Sequence, residues 1–202
     1  MISALTEEFT TEAAGTFEAL EVRKARMADI PDLLDLINGY AARGIMLPRT
    51  EFEMSEAIRD FSVARTAAGL VGCGALHFYS PAVAEIRSLA VCEQVKAKGV
   101  GRCLVETLVN EAEEFSLAAV FAFTYVPEFF GKLGFSEVER GMLPLKVWKD
   151  CVRCPKFQSC DEVSVMRVLR RGYQLENTPI CGYRPHPDEV GELPVFPILR
   201  AR

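Results

Sequence analysis

Apolar and polar residues alternate over "LEVRKAR" (20–26), the pattern of a half-buried strand. The period then lengthens. In "ADIPDLLDLINGYAARG", Ile30, Leu33, Leu34, Ile37 and Tyr40 fall on one helical stripe. Asp29 is placed to cap that helix, Pro31 sits in its first turn and Gly44 follows its end. Thr50 and Glu53 have capping-box spacing at the start of a second helix, and Met54, Ile58 and Phe61 continue its inner face. Two strand patterns follow, "FSVART" and "GLVGCGALHFY", with a turn at Ala67–Gly69 that predicts an antiparallel hairpin. The next strand, "AEIRSLAV" (84–91), leads into an amphipathic helix with Leu104, Leu108, Val109, Ala112 and Phe115 on one face. "AAVFAFTY" reads as a buried strand, "PEFFGKL" as a short helix stopped by Gly134, and "VSVMRVL" as a late strand. The order β-α-α-β-β-β-α-β-α-β predicts a mixed α/β fold, with strand 84–91, its helix and strand 118–125 as a crossover unit.

Residues 1–18 read as an N-terminal arm, 19–170 as one domain, and 171–202 as an extension holding five of the eleven prolines. That extension is suited to wrapping the domain or a second copy in a homodimer. The 202 residues are 50% apolar and 25% charged, the make-up of an ordinary globular chain. A net charge of -5 with scattered basic residues argues against a nucleic-acid partner. No apolar run reaches the roughly 18 residues of a membrane span. The acidic N-terminus lacks an export signal, so the expected address is cytoplasmic and the seven cysteines are expected to stay reduced.

The chemistry concentrates in "EQVKAKGVGRCL" (93–104). A strand ends, a loop with Gly99 and Gly101 follows, and a long helix begins at once. Glycine permits tight turning and close approach, and a helix N-terminus offers unpaired N–H groups to an anion. Lys96, Lys98 and Arg102 surround the same opening. A plain strand-to-helix turn satisfies the two glycines equally well, and neither a Walker loop nor a Rossmann fingerprint is present. The run "EIRSLAVCEQVKAKGVGRCLVETLVNEA" resembles the acyl-CoA-binding motif of the GNAT superfamily of N-acetyltransferases, R/Q-x-x-G-x-G/A, with Lys96, Gly99 and Gly101 in its fixed places. "PEFFGKLGF" resembles the short helix and "GF" that follow in that superfamily. The resemblance implies a mixed central sheet flanked by helices, with acetyl-CoA as donor. It places the pantetheine arm along Leu89, Ala90 and Val91, and the pyrophosphate over Lys96, Ala97, Lys98, Gly99, Val100, Gly101 and Arg102.

Acetyl transfer to an amine requires removal of a proton from ammonium, an oxyanion donor and a leaving thiol. The resemblance makes Glu85, at the start of the cofactor strand, the expected base; a polar strand-edge residue is the alternative. A backbone N–H near Leu89 or Ala90 is the expected oxyanion donor. Where many members carry an acidic tyrosine this chain has Phe130, and Tyr125 is the candidate substitute. A thiol with a pKa of about 8.5 leaves acceptably as thiolate in any case. The segment from Ala25 to Ala64 and the tail "LPLKVWKDCVRCPKFQSCDE" resemble amino-acid N-acetyltransferases of the N-acetylglutamate synthase type, in the short form without a kinase domain. That likeness implies L-glutamate as the small-molecule acceptor, at the first step of arginine synthesis. Two carboxylates call for guanidinium partners, and Arg49 and Arg87 are the candidates. Another small amine, a protein N-terminus and a non-catalytic acyl-CoA sensor stay open as alternatives. Cys151, Cys154 and Cys160 form C-x2-C-x5-C; the first pair has zinc-ligand spacing, with Cys181, His186 or Asp161 available as a fourth ligand, but the whole fits no standard four-ligand pattern, and reduced thiols rather than a metal are the expectation. Cys73, Cys92 and Cys103 are expected in the core, and His77 as a structural histidine.

Overall fold

The computed structural model describes residues 20–143, 151 and 154–173; the side chains of Met142 and Phe157 fall outside the description. The sheet runs in the order β1-β2-β3-β4-β5-β7-β6. Its strands are β1 (Glu21–Lys24), β2 (Phe61–Thr66), β3 (Gly69–Phe78), β4 (Val83–Val91), β5 (Ala119–Thr124), β6 (Ser136–Glu137) and β7 (Val163–Val168). The helices are α1 (Ile30–Ala41), α2 (Glu51–Ala57), α3 (Val100–Glu114) and α4 (Pro127–Gly131). All pairings are antiparallel except β4 with β5, so β4-α3-β5 is the crossover unit that the sequence predicts. The two-residue β6 escapes sequence reading because it is too short to show alternation.

Each face of the sheet has its own apolar layer. On one side Leu76, Ala84, Ile86, Val120 and Ala122 pack against Val105, Leu108, Val109 and Ala112 of α3 and Phe130 beside it. On the other, Ile30, Leu33 and Ile37 of α1 and Met54 of α2 cover Phe61, Val63, Cys73, Ala75 and Ala90. The Thr50–Glu53 capping box forms: the Thr50 hydroxyl accepts from Glu53 N–H at 3.2 Å, and Glu53 Oε2 accepts from Thr50 N–H at 3.0 Å. Helix α3 lies close on β3 because two strand residues carry no side chain. A Cβ at Gly72 would come within 3.0 Å of Leu104 Cδ1, and one at Gly74 within 3.0 Å of Leu108 Cδ1. Cys73 is buried as expected, whereas Cys92 and Cys103 are half-buried.

Two expectations change. Phe115 follows the last residue of α3, is 60% exposed, and stacks edge-on against Phe78 at 5.0 Å. Asp29 sits at the start of α1 but its carboxylate does not cap it. It is buried, accepts from Arg23 at 2.8 and 3.0 Å and from Arg65 at 2.9 Å, and takes the Arg26 N–H at 2.8 Å. Two guanidinium groups outbid the helix for the same oxygens, joining β1 and β2 to the start of α1. The hydrogen bond from Arg23 holds the Asp29 carboxyl below the usual carboxylate range, against the opposing effect of burial. A depressed folded pKa contributes stability that is present above the ordinary carboxylate pKa and is lost as pH falls through the folded value. Asp29→Asn is therefore expected to cost about 1–3 kcal/mol at pH 7. The gap from wild type should narrow below about pH 4, measured by urea denaturation across pH.

Candidate active site

Strand β4 carries a bulge. Cys73 pairs with Ala90 and Ala75 with Arg87, so Ser88 and Leu89 together face Gly74, with Ser88 at φ 52°. The extra residue bends β4. It pairs with β5 only over Val83–Glu85 opposite Ala119–Phe121, and beyond that the two strands part. β5 itself pairs with β7 along its whole length. A slot thus opens between the C-terminal ends of two parallel strands, with backbone edges on both walls. Cys92 N–H donates to Val71 O at 2.9 Å, so by strand alternation the peptide groups of Val91 face away from β3 toward the slot. Ala90 then points its amide at β3 and its side chain into the α1–α2 core. The Tyr40 hydroxyl donates to Val91 O at 2.6 Å, which occupies that carbonyl and leaves the Val91 N–H as the donor on this edge.

The glycine loop stands at the mouth of the slot. Ala97 (φ 63°) and Gly99 (φ 87°) adopt left-handed backbone on either side of Lys98, and alternating signs of φ curl the loop amides into a concavity. Gly99 is the cap residue of α3 and supplies no side chain, so the N–H groups of Val100, Gly101 and Arg102 have no intrahelical acceptor. The two glycines serve different ends. Gly99 is needed for its φ, with open space around it. Gly101 is hemmed in: a Cβ there would already be in van der Waals contact, 3.4 Å from Phe129 Cζ and 3.6 Å from Val91 Cγ2, so a larger side chain has no room on that side. Lys96 bonds Glu93 Oε1 at 2.8 Å, as does Arg43 at 2.9 Å, and Arg102 bonds Glu106 at 2.8 Å. An arriving phosphate would draw these exposed cations from their carboxylates.

Glu85 lies just before the strands part, buried in a largely apolar sheet, and its Oε2 accepts from the Tyr79 hydroxyl at 2.9 Å. Tyr79 has no sequence signal beyond its place at the end of a strand pattern. Arg87 is two residues along on the same face of β4, opposite Ala75 under the α1–α2 layer. Arg49 is half-buried directly before α2. The Asn38 side-chain amide fixes its backbone, donating to Arg49 O at 3.0 Å and accepting from Arg49 N–H at 2.9 Å. Tyr125 follows β5, and its phenol oxygen accepts from Lys156 at 3.2 Å, while Lys156 also holds Asp161 at 3.2 Å. Burial first holds the Tyr125 hydroxyl above its ordinary pKa, so it is a proton donor at neutral pH. Phe130 is buried between Phe129 and Phe135, with ring centroids 5.2 and 5.1 Å away.

Cys151 belongs to the wall of this region. Burial, then the nearby Glu85 carboxylate, push its thiol up to about 11, so it stays protonated at neutral pH. Cys160 Sγ lies 3.9 Å from Glu162 Oε2. Among the described residues no group of three or more His, Cys, Asp or Glu side chains is arranged to hold a metal ion. No described helix is long and apolar enough to cross a membrane. The proposed N-terminal arm and all but 171–173 of the C-terminal extension lie outside the described residues.

The acetyltransferase (GNAT) domain model matches residues 57–137, the stretch that holds the bulge, the slot and the loop. An uncharacterised N-acetyltransferase of Chlorobaculum tepidum is 43% identical over 148 residues, 73% of this chain and 96% of that protein. The chain belongs to the GNAT acetyltransferases. Within that family the amino-acid acetyltransferase of Mycobacterium tuberculosis is 34% identical over 65% of this chain and 77% of its own length. The N-acetylglutamate synthase of Neisseria gonorrhoeae, solved with coenzyme A and N-acetyl-glutamate, superposes with a TM-score of 0.69 at 27% identity. That match covers 79% of this chain and 37% of the synthase. Rv2747 of Mycobacterium tuberculosis, solved with CoA and NLQ, gives a TM-score of 0.64 at 30% identity, over 74% of this chain and 99% of its own. This GNAT protein is accordingly an acetyl-CoA-dependent N-acetyltransferase of the amino-acid acetyltransferase type.

The slot and the loop are suited to the two ends of acetyl-CoA: peptide edges for the pantetheine amides, helix-end N–H groups for the pyrophosphate. Gly101→Asp brings bulk against Phe129 and a carboxylate to the phosphate position, while an acidic residue in the first turn of a helix suits the fold. Acetyl-CoA binding measured by calorimetry is expected to vanish with little change in the thermal midpoint. Unchanged affinity would remove the loop from the cofactor site.

Proposed function

We propose that the chain transfers the acetyl group of acetyl-CoA to the α-amine of L-glutamate, the reaction that opens arginine synthesis, in the cytoplasm. The observation that carries this reading is the position of Glu85 and Arg87 on one face of β4, on either side of the point where the strands part. A base and a guanidinium then stand side by side where an amino acid would meet the thioester. The likeness to amino-acid acetyltransferases and to a synthase solved with N-acetyl-glutamate supports it. The catalytic domain in this reading spans 19–170.

Each residue has a defined task. Arg87 and Arg49 bind the two carboxylates of the acceptor, with Asn38 keeping the Arg49 segment in place. Glu85, directly or through a water, takes a proton from the ammonium, and the Tyr79 hydroxyl keeps its carboxylate oriented. A slot-facing N–H of the β4 edge, at Leu89 or Val91, stabilises the oxyanion; a fixed donor there is worth about 3–4 kcal/mol. Tyr125 returns a proton to the departing thiolate, and the Lys156 ammonium at its oxygen makes that donation easier. The loop from Lys96 to Arg102 holds the pyrophosphate.

The test is release of free CoA from acetyl-CoA with L-glutamate, L-glutamine, lysine and spermidine as acceptors. Turnover on L-glutamate, well above the others, is expected. Arg49→Ala should raise the KM for glutamate at least about tenfold, the loss of a charge-assisted pair, and leave that for acetyl-CoA nearly unchanged. Preference for an uncharged or cationic amine would discard the glutamate reading. Acetyl-CoA binding without turnover on any amine would point instead to a sensor.

A further inference from the structure

Acetylation of an ammonium removes two protons from nitrogen. One ends on the CoA thiol, and the other must leave the enzyme in every cycle. Glu85 is buried, so a proton that it accepts needs a way out. Beside it stands a pair of side chains that the transfer scheme leaves idle. His77 is the cross-strand partner of Glu85 in the β3–β4 register, which puts their Cβ atoms about 4.5–5.5 Å apart on one face of the sheet. Its Nδ1 lies 2.7 Å from Asp60 Oδ2. A carboxylate only accepts, so Nδ1 carries the hydrogen and Nε2 is the nitrogen that can take up a proton. The ring meets Tyr79 edge-on at 5.0 Å, the same tyrosine whose hydroxyl bonds Glu85. The His77 side chain is 33% exposed and that of Asp60 23%, so the pair reaches solvent where Glu85 does not.

We propose that His77, oriented by Asp60, is the proton exit of the active site. The inference rests on the reading of Glu85 as the base. The ammonium gives a proton to the Glu85 carboxylate, and the amine lone pair attacks the thioester carbonyl. Neutral Glu85 then passes that proton to His77 Nε2 and becomes a carboxylate again. The imidazolium that forms is stabilised by Asp60 and loses the proton to buffer.

The experiment is steady-state acetylation by wild type, His77→Ala and His77→Gln, with the best acceptor, in dilute buffer and with added imidazole. Both variants are expected to lose roughly tenfold to a hundredfold in kcat, with the KM for acetyl-CoA unchanged. Imidazole at tens of millimolar should restore most of the loss in His77→Ala, where it has room to bind, and little in His77→Gln. Asp60→Asn, whose amide can present an N–H to Nδ1 and turn the tautomer, should fall in the same direction. A wild-type rate in His77→Gln, or a fall in soluble His77→Ala that imidazole leaves untouched, overturns the exit. Should Glu85→Gln retain full activity, the base assignment fails instead. The two failures are therefore distinguishable.

Discussion

The structure depends on one irregularity, the bulge at Ser88–Leu89 that turns β4 away from β5. Parallel strands joined by a helix ordinarily stay paired, because every unpaired N–H and C=O in a buried sheet is costly. Here the pairing stops after three residues, and the edges that it leaves are what a cofactor with peptide-like amides can use. The bulge is tolerated because Gly74 stands opposite it, leaving space that Leu108 and Leu89 fill from either side. The same parting puts the start of α3 at the mouth of the slot and leaves Glu85 as the last residue of β4 that pairs with β5.

From that constraint the electrostatics follow. A buried carboxylate needs partners, and the Tyr79 hydroxyl is one that orients the acid. Cys151, near Glu85, stays a thiol because burial and that carboxylate both disfavour its thiolate. Exposed cations stand at the loop and just after α1, held by Glu93 and Glu106 until an anion competes for them.

Much of the fold was legible because its signals are local. The Thr50–Glu53 box, the β2–β3 hairpin and the strand-loop-helix around "KAKGVG" each lie in one continuous stretch of chain, and the crossover follows from their order. What sequence reading missed depends on contacts distant along the chain. Asp29 looked like a helix cap until two arginines from β1 and β2 claimed its oxygens. The register that sets His77 across from Glu85, and the turn that brings Asp60 to its Nδ1, exist only after folding. The bulge had no signal at all, since Ser88 is an unremarkable residue with a positive φ. Asn38 lay on a helix pattern as an ordinary polar position, and its clamp on the Arg49 backbone appears only when α1 and the next loop come together.

The central claim is that the parted edge of β4 and the uncapped start of α3 together hold acetyl-CoA. Amide hydrogen exchange, read residue by residue by NMR with and without acetyl-CoA, tests it most directly. The account predicts that the cofactor slows exchange at Val91 and at Val100–Arg102, while Ala90, already bonded to β3, changes little. Protection confined to other segments, or equal protection across the whole sheet, would contradict it.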